Sequence, residues 1–119
     1  FSQFTSFLDI MQAALTARAQ ALEGPGGKIA RLDGSMTRVK RSLAISSFTD
    51  DADTGVLLVS IKAGGTGLNL VSANHVFITD LWWNSAVEAQ AMDRVYRFGQ
   101  EKHVRMVRFV TEGTIEERI

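Results

Sequence analysis

The segment spanning residues 56–60 constrains the fold of this chain more than any other stretch. It reads Val-Leu-Leu-Val-Ser, an apolar run without the alternation of a half-exposed strand. A run of this kind is typical of a strand buried on both faces, as in a parallel sheet that helices cover on each side. We therefore expect short apolar strands separated by helices.

Helical and strand patterns alternate along the rest of the chain. Apolar residues at helical spacing predict a first helix from about Phe4 to the Gly-Pro-Gly-Gly cluster at residues 24–27. Short, mostly apolar stretches predict further strands at Lys28–Leu32 and at residues 75–79 and 103–110. The sequence thus predicts an α/β domain with a mostly parallel central sheet flanked by helices.

A second helix is predicted after the turn at residues 33–35. Ser35 or Thr37 can cap its N-terminus. Its spacing places an apolar face toward the core and a basic face toward solvent. The apolar face carries Met36, Val39 and Leu43, and the basic face carries Arg38 and Arg41.

A third helix, predicted to run from Ser85 to about Gly99, carries two arginines. Ser85 and Glu88 form a capping box at its start, and Gly99 suits a left-handed residue at its end. Polar side chains spaced i, i+4 and i+7 share one helix face, with an apolar stripe about a quarter turn away. The polar face is Gln90, Arg94 and Arg97, and the stripe is Val87, Ala91, Val95 and Phe98. This face either binds an anion or is merely solvated.

Composition excludes several classes of function. Thirteen Lys plus Arg balance thirteen Asp plus Glu, so any basic surface that binds nucleic acid must be local. Cysteine is absent and the two histidines, His75 and His103, lie far apart, so no metal site is predicted. No stretch stays apolar over about 18 residues, and we predict no membrane span. The length of 119 residues fits one domain.

The glycine-rich loop at residues 62–70 matches neither common nucleotide-binding fingerprint. A P-loop needs a lysine after its glycines, and a dinucleotide loop needs Gly-x-Gly-x-x-Gly, whereas Gly65-Thr-Gly67 is followed by Leu-Asn-Leu. The domain is therefore not expected to bind a nucleotide alone. The loop either offers amides to a phosphate from one side or is a tight turn without a ligand.

Three loops are predicted to line one edge of the sheet. Residues 33–35, 62–69 and 80–84 each follow a predicted strand, and ligands of parallel sheets sit beyond the carboxyl ends of the strands. The first loop, at a helix N-terminus beside arginines, suits a backbone phosphate. Trp82 and Trp83, in the third loop, are either core anchors or outward contacts for a nucleic-acid strand. No Gly-x-Ser-x-Gly elbow supports a hydrolase.

Five motifs, taken in this order, resemble the second RecA-like lobe of superfamily-two helicase-type ATPases, specifically the Swi/Snf-type DNA translocases of chromatin remodelling and DNA repair. The fold implied is a RecA-like three-layer domain. The Arg-Leu-Asp-Gly-Ser-Met and Trp-Trp-Asn variants are most similar to the subgroup of the helicase-like transcription factor and the yeast repair translocases. The motifs are Phe-Ser-Gln-Phe at 1–4, Arg-Leu-Asp-Gly-Ser-Met at 31–36, Lys-Ala-Gly-Gly-Thr-Gly-Leu-Asn-Leu at 62–70, Asp-Leu-Trp-Trp-Asn at 80–84 and Gln-Ala-Met-Asp-Arg-Val-Tyr-Arg-Phe-Gly-Gln at 90–100.

The resemblance implies an ATP site shared between two lobes. A first lobe of the same parent chain would supply the P-loop lysine and the magnesium-binding acid, and would hold most of the ATP and Mg²⁺. This lobe would contribute Arg94 and Arg97, with Arg97 as the arginine finger, and Gln90 would order that face. Gly65 and Gly67 would let their loop approach nucleotide and DNA closely.

The same resemblance implies a partner in double-stranded DNA, either free or nucleosomal, with no membrane and a nuclear location. The positions that match DNA-contacting residues of the family are Gly34, Ser35, Lys62, Asn69 and Trp83, with Arg41 as a weaker addition. The alternative is a non-catalytic lobe that binds DNA or partners within its assembly. We expect residues 1–119 to be a helicase C-terminal (second RecA-like) lobe truncated at both ends, and inactive as an ATPase when isolated from the first lobe.

Three positions depart from the family pattern. Leu81 and Ser85 stand where proline is usual, and Tyr96 stands where histidine is usual. The two lost prolines should change the rigidity of the loop that carries Trp83.

Overall fold

The computed structural model describes residues 1–21, 26–63 and 68–119. Its elements follow the predicted alternation of helices and strands, with bounds that differ by a few residues. No helix in these three ranges has the length and apolar character that a membrane crossing requires. The elements are α1 (Thr5–Ala21), β1 (Lys28–Leu32), α2 (Arg38–Asp50), β2 (Thr54–Val59), β3 (His75–Ile78), α3 (Ser85–Val95), β4 (Arg105–Arg108) and a short 3-10 helix (Ile115–Arg118).

The strands form two parallel pairs, which the first two residues join. β1 pairs with β2, and β3 pairs with β4, both in parallel. Ser2 donates its amide hydrogen to the Val59 carbonyl at 3.0 Å and accepts from the Ile61 amide at 2.9 Å. Phe1 accepts from the Thr79 amide at 3.1 Å. The sheet order is therefore β1, β2, residues 1–2, β3, β4, and the predicted parallel sheet is confirmed.

The helices cover both faces of this sheet. Arg31 in β1 reaches α1, where it bonds Gln12, whereas the next residue, Leu32, packs with Ile45 of α2. Because successive strand residues point to opposite faces, α1 and α2 lie on opposite sides. α3 covers the β3 end of the sheet, and its buried Ala91 and Val95 share a core cluster with Leu70, Val76, Ile78 and Leu81.

The predicted inner face of α2 is wrong. Val39 is 69% exposed and Leu43 is 64% exposed, whereas Ile45 packs against the core beneath. Arg41, expected on the exposed face, is half-buried. The helix carries two sets of apolar residues with helical spacing. The set that contains Ile45 and Phe48 packs toward the sheet, and the set that contains Val39 and Leu43 faces solvent.

The predicted ends of α3 also need correction. Asn84, not Ser85, is the N-cap, since its Oδ1 accepts from the Ala86 amide at 3.0 Å. Glu88 does not reach back to complete a capping box, because it is buried against β4 and pairs with Arg108 at 2.8 Å.

The C-terminal end of α3 lies at Val95, so the predicted apolar stripe stops there. Phe98 is fully exposed and does not belong to the stripe. Gly99 has the predicted left-handed conformation, with φ of 98°, but it lies in the turn beyond the helix rather than at its cap.

Candidate functional site

The loops that carry the predicted site residues lie at one edge of the sheet. β1, β2 and β3 are parallel to one another through the bridge at Ser2, so their carboxyl ends point the same way. Residues 33–35, 60–63 and 79–84 follow directly from those ends. This places the candidate site where parallel sheets bind their ligands.

The turn after β1 is held from beneath by a buried carboxylate. Asp33 is 5% exposed, and its Oδ1 accepts from the Ser35 hydroxyl at 2.6 Å and from the Ser35 amide at 2.9 Å. The hydrogen bond from the Ser35 hydroxyl lowers the pKa of Asp33, and the Ser35 amide and Arg31 lower it further against the effect of burial. Gly34 and Ser35 are exposed at the tip.

Arg31 fastens this turn to α1. Its Nε donates to Asp33 Oδ2 at 2.9 Å, while Nη1 donates to the Asp9 carboxylate and to Gln12 Oε1. Nη2 donates to the Thr5 carbonyl at 3.3 Å. The sequence shows Arg31 within a motif but does not indicate this role, since its partners in α1 lie 19 to 26 residues earlier in the chain.

The N-terminus of α2 opens beside the same turn. Thr37 is its N-cap, as predicted, and accepts from the Lys40 amide at 3.3 Å. Arg41 folds back so that Nη2 donates to the Gly34 carbonyl at 3.4 Å. Its Nε is buried with no hydrogen-bond partner among the described residues. Free helix amides and a guanidinium thus meet at the turn, which is a favourable setting for an anion.

The loop after β3 is anchored by Asp80. Its Oδ1 accepts from the Gln3 amide at 3.0 Å, and its Oδ2 accepts from the hydroxyls of Ser2 and Thr79. Leu81 is buried in the core directly behind it. The sequence contained Asp80 and Ser2 in separate motifs, and nothing in it indicated that residues 78 positions apart would bond.

The two tryptophans differ in exposure. Trp83 is 76% exposed and Trp82 is 36% exposed, and their ring centroids lie 6.0 Å apart at 33°. Of the two alternatives left open by the sequence, the outward position therefore holds for Trp83, and Leu81 takes the role of core anchor.

The end of α3 is bonded to the segment that leaves the glycine-rich loop. Arg97 Nη1 donates to the Leu68 carbonyl at 2.9 Å, and the Leu70 amide donates to the Arg94 carbonyl at 2.8 Å. Gln100 Nε2 donates to the carbonyls of Ala73 at 2.7 Å and Val95 at 3.0 Å. We call this set of contacts the α3–loop joint.

Gln100 was the residue of this joint that sequence reasoning missed. It stands at the end of the arginine motif, and no function is predicted for it from the sequence. Its position after a left-handed glycine was the available signal, because such a glycine turns the chain back toward the helix end.

The remaining predicted site residues are placed as follows. Gln90 and Arg97 are exposed, and Arg94 is half-buried with an Nε that lacks a partner within the described ranges. Lys62 and Asn69 are exposed, and Asn69 Oδ1 accepts from the Val71 amide at 3.4 Å. Gly65 and Gly67 lie outside the described residues. The prediction that Gln90, Arg94 and Arg97 share one helix face is wrong for Arg97, because α3 ends at Val95.

Chemically, the predicted site residues offer hydrogen-bond donors. Arg94 and Arg97 present guanidinium groups, Lys62 an ammonium group, and the start of α2 its amides. Groups of three or more His, Cys, Asp or Glu that could hold a metal are not found in the described parts of the chain. Donors of this kind are suited to phosphate oxygens.

Comparison with solved structures defines the class of this fold. The C-terminal part of the Fun30 ATPase domain superposes with a TM-score of 0.88 and 41% identity, covering 99% of this chain and 36% of that one. The Sulfolobus solfataricus SWI2/SNF2 ATPase core in complex with dsDNA superposes with a TM-score of 0.76 and 30% identity, covering 98% of this chain and 23% of the other. The domain is a RecA-like helicase C-terminal lobe, as its sequence motifs predicted.

The family is equally clear. Residues 1–99 match the model of the helicase conserved C-terminal domain, and the chain belongs to that family. Among curated proteins, it is 51% identical over 119 residues to DNA repair protein rad8 of Schizosaccharomyces pombe and 43% identical to DNA repair protein RAD5A of Arabidopsis thaliana. The match covers the whole of this chain but only 10% and 11% of those two relatives.

Proposed function

We propose that this chain is the second motor lobe of a DNA-dependent ATPase that translocates on double-stranded DNA in repair or chromatin remodelling. The names of its relatives, which include DNA repair proteins and a SWI/SNF2 ATPase core in complex with dsDNA, support this class of function. They also support a nuclear location for the parent protein.

The α3–loop joint is the observation on which the proposal depends. Arg97 is exposed, yet one of its nitrogens already bonds the Leu68 carbonyl, one residue before Asn69. A residue proposed to meet ATP is thus bonded directly to a loop proposed to meet DNA. DNA bound against that loop would favour one position of Arg97 over another, which is how DNA would stimulate hydrolysis.

Arg97 is the proposed arginine finger. A guanidinium is permanently charged and planar, so it can donate two hydrogen bonds to a γ-phosphoryl group as negative charge develops there. Arg94 would contact the phosphates beside it, and Gln90, Gly65 and Gly67 would complete this side of the nucleotide. ATP and Mg²⁺ would be held mainly by the first lobe of the parent chain, so the isolated lobe should not turn over ATP.

The DNA contacts are proposed to come from the loops at the carboxyl ends of the strands. The exposed turn of Gly34 and Ser35, with Arg41 and the amides of α2, would bind a backbone phosphate. Lys62 and Asn69 would meet the same duplex from the next loop. Trp83, which projects from the Asp80 anchor, would pack against a strand.

Substitution of Arg97 in the parent protein tests the finger assignment. We expect Arg97→Ala to lower the DNA-stimulated kcat by about 10³-fold or more while DNA affinity changes little. Arg18→Ala is the matched control, because Arg18 is an exposed arginine in the last turn of α1 and is not one of the proposed site residues. ATP hydrolysis is measured with saturating duplex, and DNA binding by fluorescence anisotropy.

Two results would contradict the proposal. Retained ATPase in the Arg97→Ala protein refutes the finger assignment alone. A wild-type parent without DNA-stimulated ATPase, but with measurable DNA binding, would instead favour the non-catalytic lobe.

A further inference from the structure

Within the part of the chain that the structure describes, the outer edge of β1 carries backbone groups without partners. β1 pairs there only with β2. The Lys28 amide and the Leu32 carbonyl bond residues that flank β2, each at 2.9 Å. Because the backbone groups of successive strand residues alternate in direction, the amides and carbonyls of Ile29 and Arg31 point away from β2. An edge of this kind is a template for a further strand.

A groove of about 680 Å³ runs along this edge, and residues 27–31 line its floor. α1 contributes Thr16 to its wall, and α2 contributes Lys40, Leu43 and Ala44. The two helices cover opposite faces of the sheet, and β2 occupies the inner edge of β1. A groove that touches both helices and β1 therefore lies beyond the outer edge, which is recessed between the helices. We call it the edge groove.

The recess decides which kind of partner can reach the edge. A second copy of the chain offers its own β1 edge, but that edge lies equally deep between two helices, so the helices would meet before the strands. A single extended segment has no flanking helices and can enter the groove. Addition of such a segment to a sheet edge is a common mode of peptide recognition.

The α2 wall of the edge groove has a basic end and an apolar middle. Lys40 is exposed and forms no ion pair with any described residue, whereas Lys28 pairs with Asp51 at 3.3 Å. Leu43 is 64% exposed, and Ala44 beside it is half-buried. A carboxylate would complement Lys40, and an apolar side chain would cover the exposed Leu43.

The spacing of these wall residues matches that of a strand. α2 is the crossover between the parallel strands β1 and β2, so its axis runs roughly along them. Lys40 and Ala44 lie four residues apart on the helix, which is about 6 Å at 1.5 Å per residue. Side chains on one face of a strand repeat every two residues, or about 6.6 Å. Two successive same-face residues of an added strand therefore lie opposite Lys40 and Ala44.

We propose that the edge groove is a docking site for an extended segment of a partner protein, which adds to β1 as a strand and carries an acidic and an apolar residue two positions apart. Ile29 and Arg31 exchange backbone hydrogen bonds with this segment. Lys40 pairs with its carboxylate, and Leu43 and Ala44 pack on its apolar side chain. The proposal does not depend on the proposed function.

A fluorescein-labelled heptapeptide tests this site in the parent protein. Its sequence is Thr-Val-Thr-Val-Thr-Glu-Thr, and the same peptide in reverse order covers the opposite strand direction. We expect one of the two to bind in fluorescence anisotropy. In its presence the amides of Ile29 and Arg31 should exchange at least about tenfold more slowly. The control peptide carries lysine in place of glutamate and should bind more weakly.

A charge reversal at Lys40 tests the predicted ion pair. Lys40→Glu should weaken binding of the acidic peptide about fivefold, and should bind the lysine peptide more tightly than the wild type does. The Lys40 amide donates to Thr37, but its exposed side chain can change without loss of that bond. Lys102→Glu is the matched control, because Lys102 is an exposed lysine that does not line the groove, and it should leave both affinities unchanged.

Several results would overturn the proposal. They include no binding of either acidic peptide at about 1 mM, equal binding of the acidic and lysine peptides by the wild type, and binding that leaves exchange of Ile29 and Arg31 unchanged. Slow exchange of these two amides without peptide would assign the edge to a segment of the parent chain, or to a second copy if it depends on protein concentration. Either assignment rules out a partner segment at this site.

Discussion

Replacement of Gln100 by alanine is the sharpest test of the α3–loop joint. The Gln100 side chain donates to the carbonyls of Ala73 and Val95, and its Oε1 accepts from the Lys102 amide at 2.9 Å. The Gln100→Ala protein loses all three bonds. Since Gln100 is half-buried, water can replace them in part.

The expected loss of local stability follows from these contacts. A neutral hydrogen bond contributes about 0.5–1.5 kcal/mol net, so three bonds with partial hydration are together worth about 2 kcal/mol. That free energy corresponds to about 30-fold faster hydrogen exchange of amides that open with the joint. The Leu70 amide, which donates to the Arg94 carbonyl, and the Tyr96 amide, which donates to the Met92 carbonyl, are the probes.

The measurement is native-state hydrogen exchange of the parent protein and its variant. Gln20→Ala is the matched control, because Gln20 is exposed on α1 and far from the joint. A change of less than about threefold at both probe amides would refute the view that Gln100 holds the joint together. If Arg97 acts as proposed, the Gln100→Ala protein should also lose part of its DNA-stimulated kcat.

Three further predictions concern the core, the turn after β1 and the exposed tryptophan. Leu32→Ala should lower the free energy of unfolding by about 3 kcal/mol, because Leu32 is 1% exposed; urea denaturation measures this, and Leu43→Ala, at a 64% exposed site, should cost less than about 1 kcal/mol. The lowered pKa of Asp33 stabilises the fold above its unfolded value near 3.8, so this stability is lost as the pH falls through the lower folded value. The Asp33→Asn protein should therefore lose less stability on acidification below about pH 4 than the wild type, and an equal loss would contradict the role of this carboxylate. Trp83→Ala should weaken DNA binding about fivefold, at the low end of the range for base stacking, with an unchanged urea midpoint, and unaltered affinity in anisotropy would exclude the contact.

Much of the fold was predictable because it depends on local pattern. The apolar run at residues 56–60 indicated a buried parallel strand, and β2 runs from Thr54 to Val59 within a parallel sheet. Of the two caps predicted for α2, Ser35 and Thr37, Thr37 is the N-cap, since a threonine hydroxyl needs only the amides of the next turn. Such features are fixed by neighbours in sequence.

The predictions that were wrong concern side chains whose contacts lie far away in the sequence. Glu88 was assigned to a capping box, but a carboxylate that faces β4 finds Arg108, which lies 20 residues later. Val39 and Leu43 were assigned to the core, but helical periodicity does not say which of two apolar stripes meets the sheet. In both cases the packing of α-helices on the sheet overrode the local signal.

The sequence by itself determined the order of motifs, the α/β class and the family, because these depend on residue types and their spacing. Only the tertiary structure decided that Asp80 anchors the tryptophan loop on Ser2 and Gln3, and that Arg97 bonds the exit of the glycine-rich loop. Spacing along a sequence fixes which side chains share an element, whereas contacts between elements depend on how the sheet and its helices pack in space.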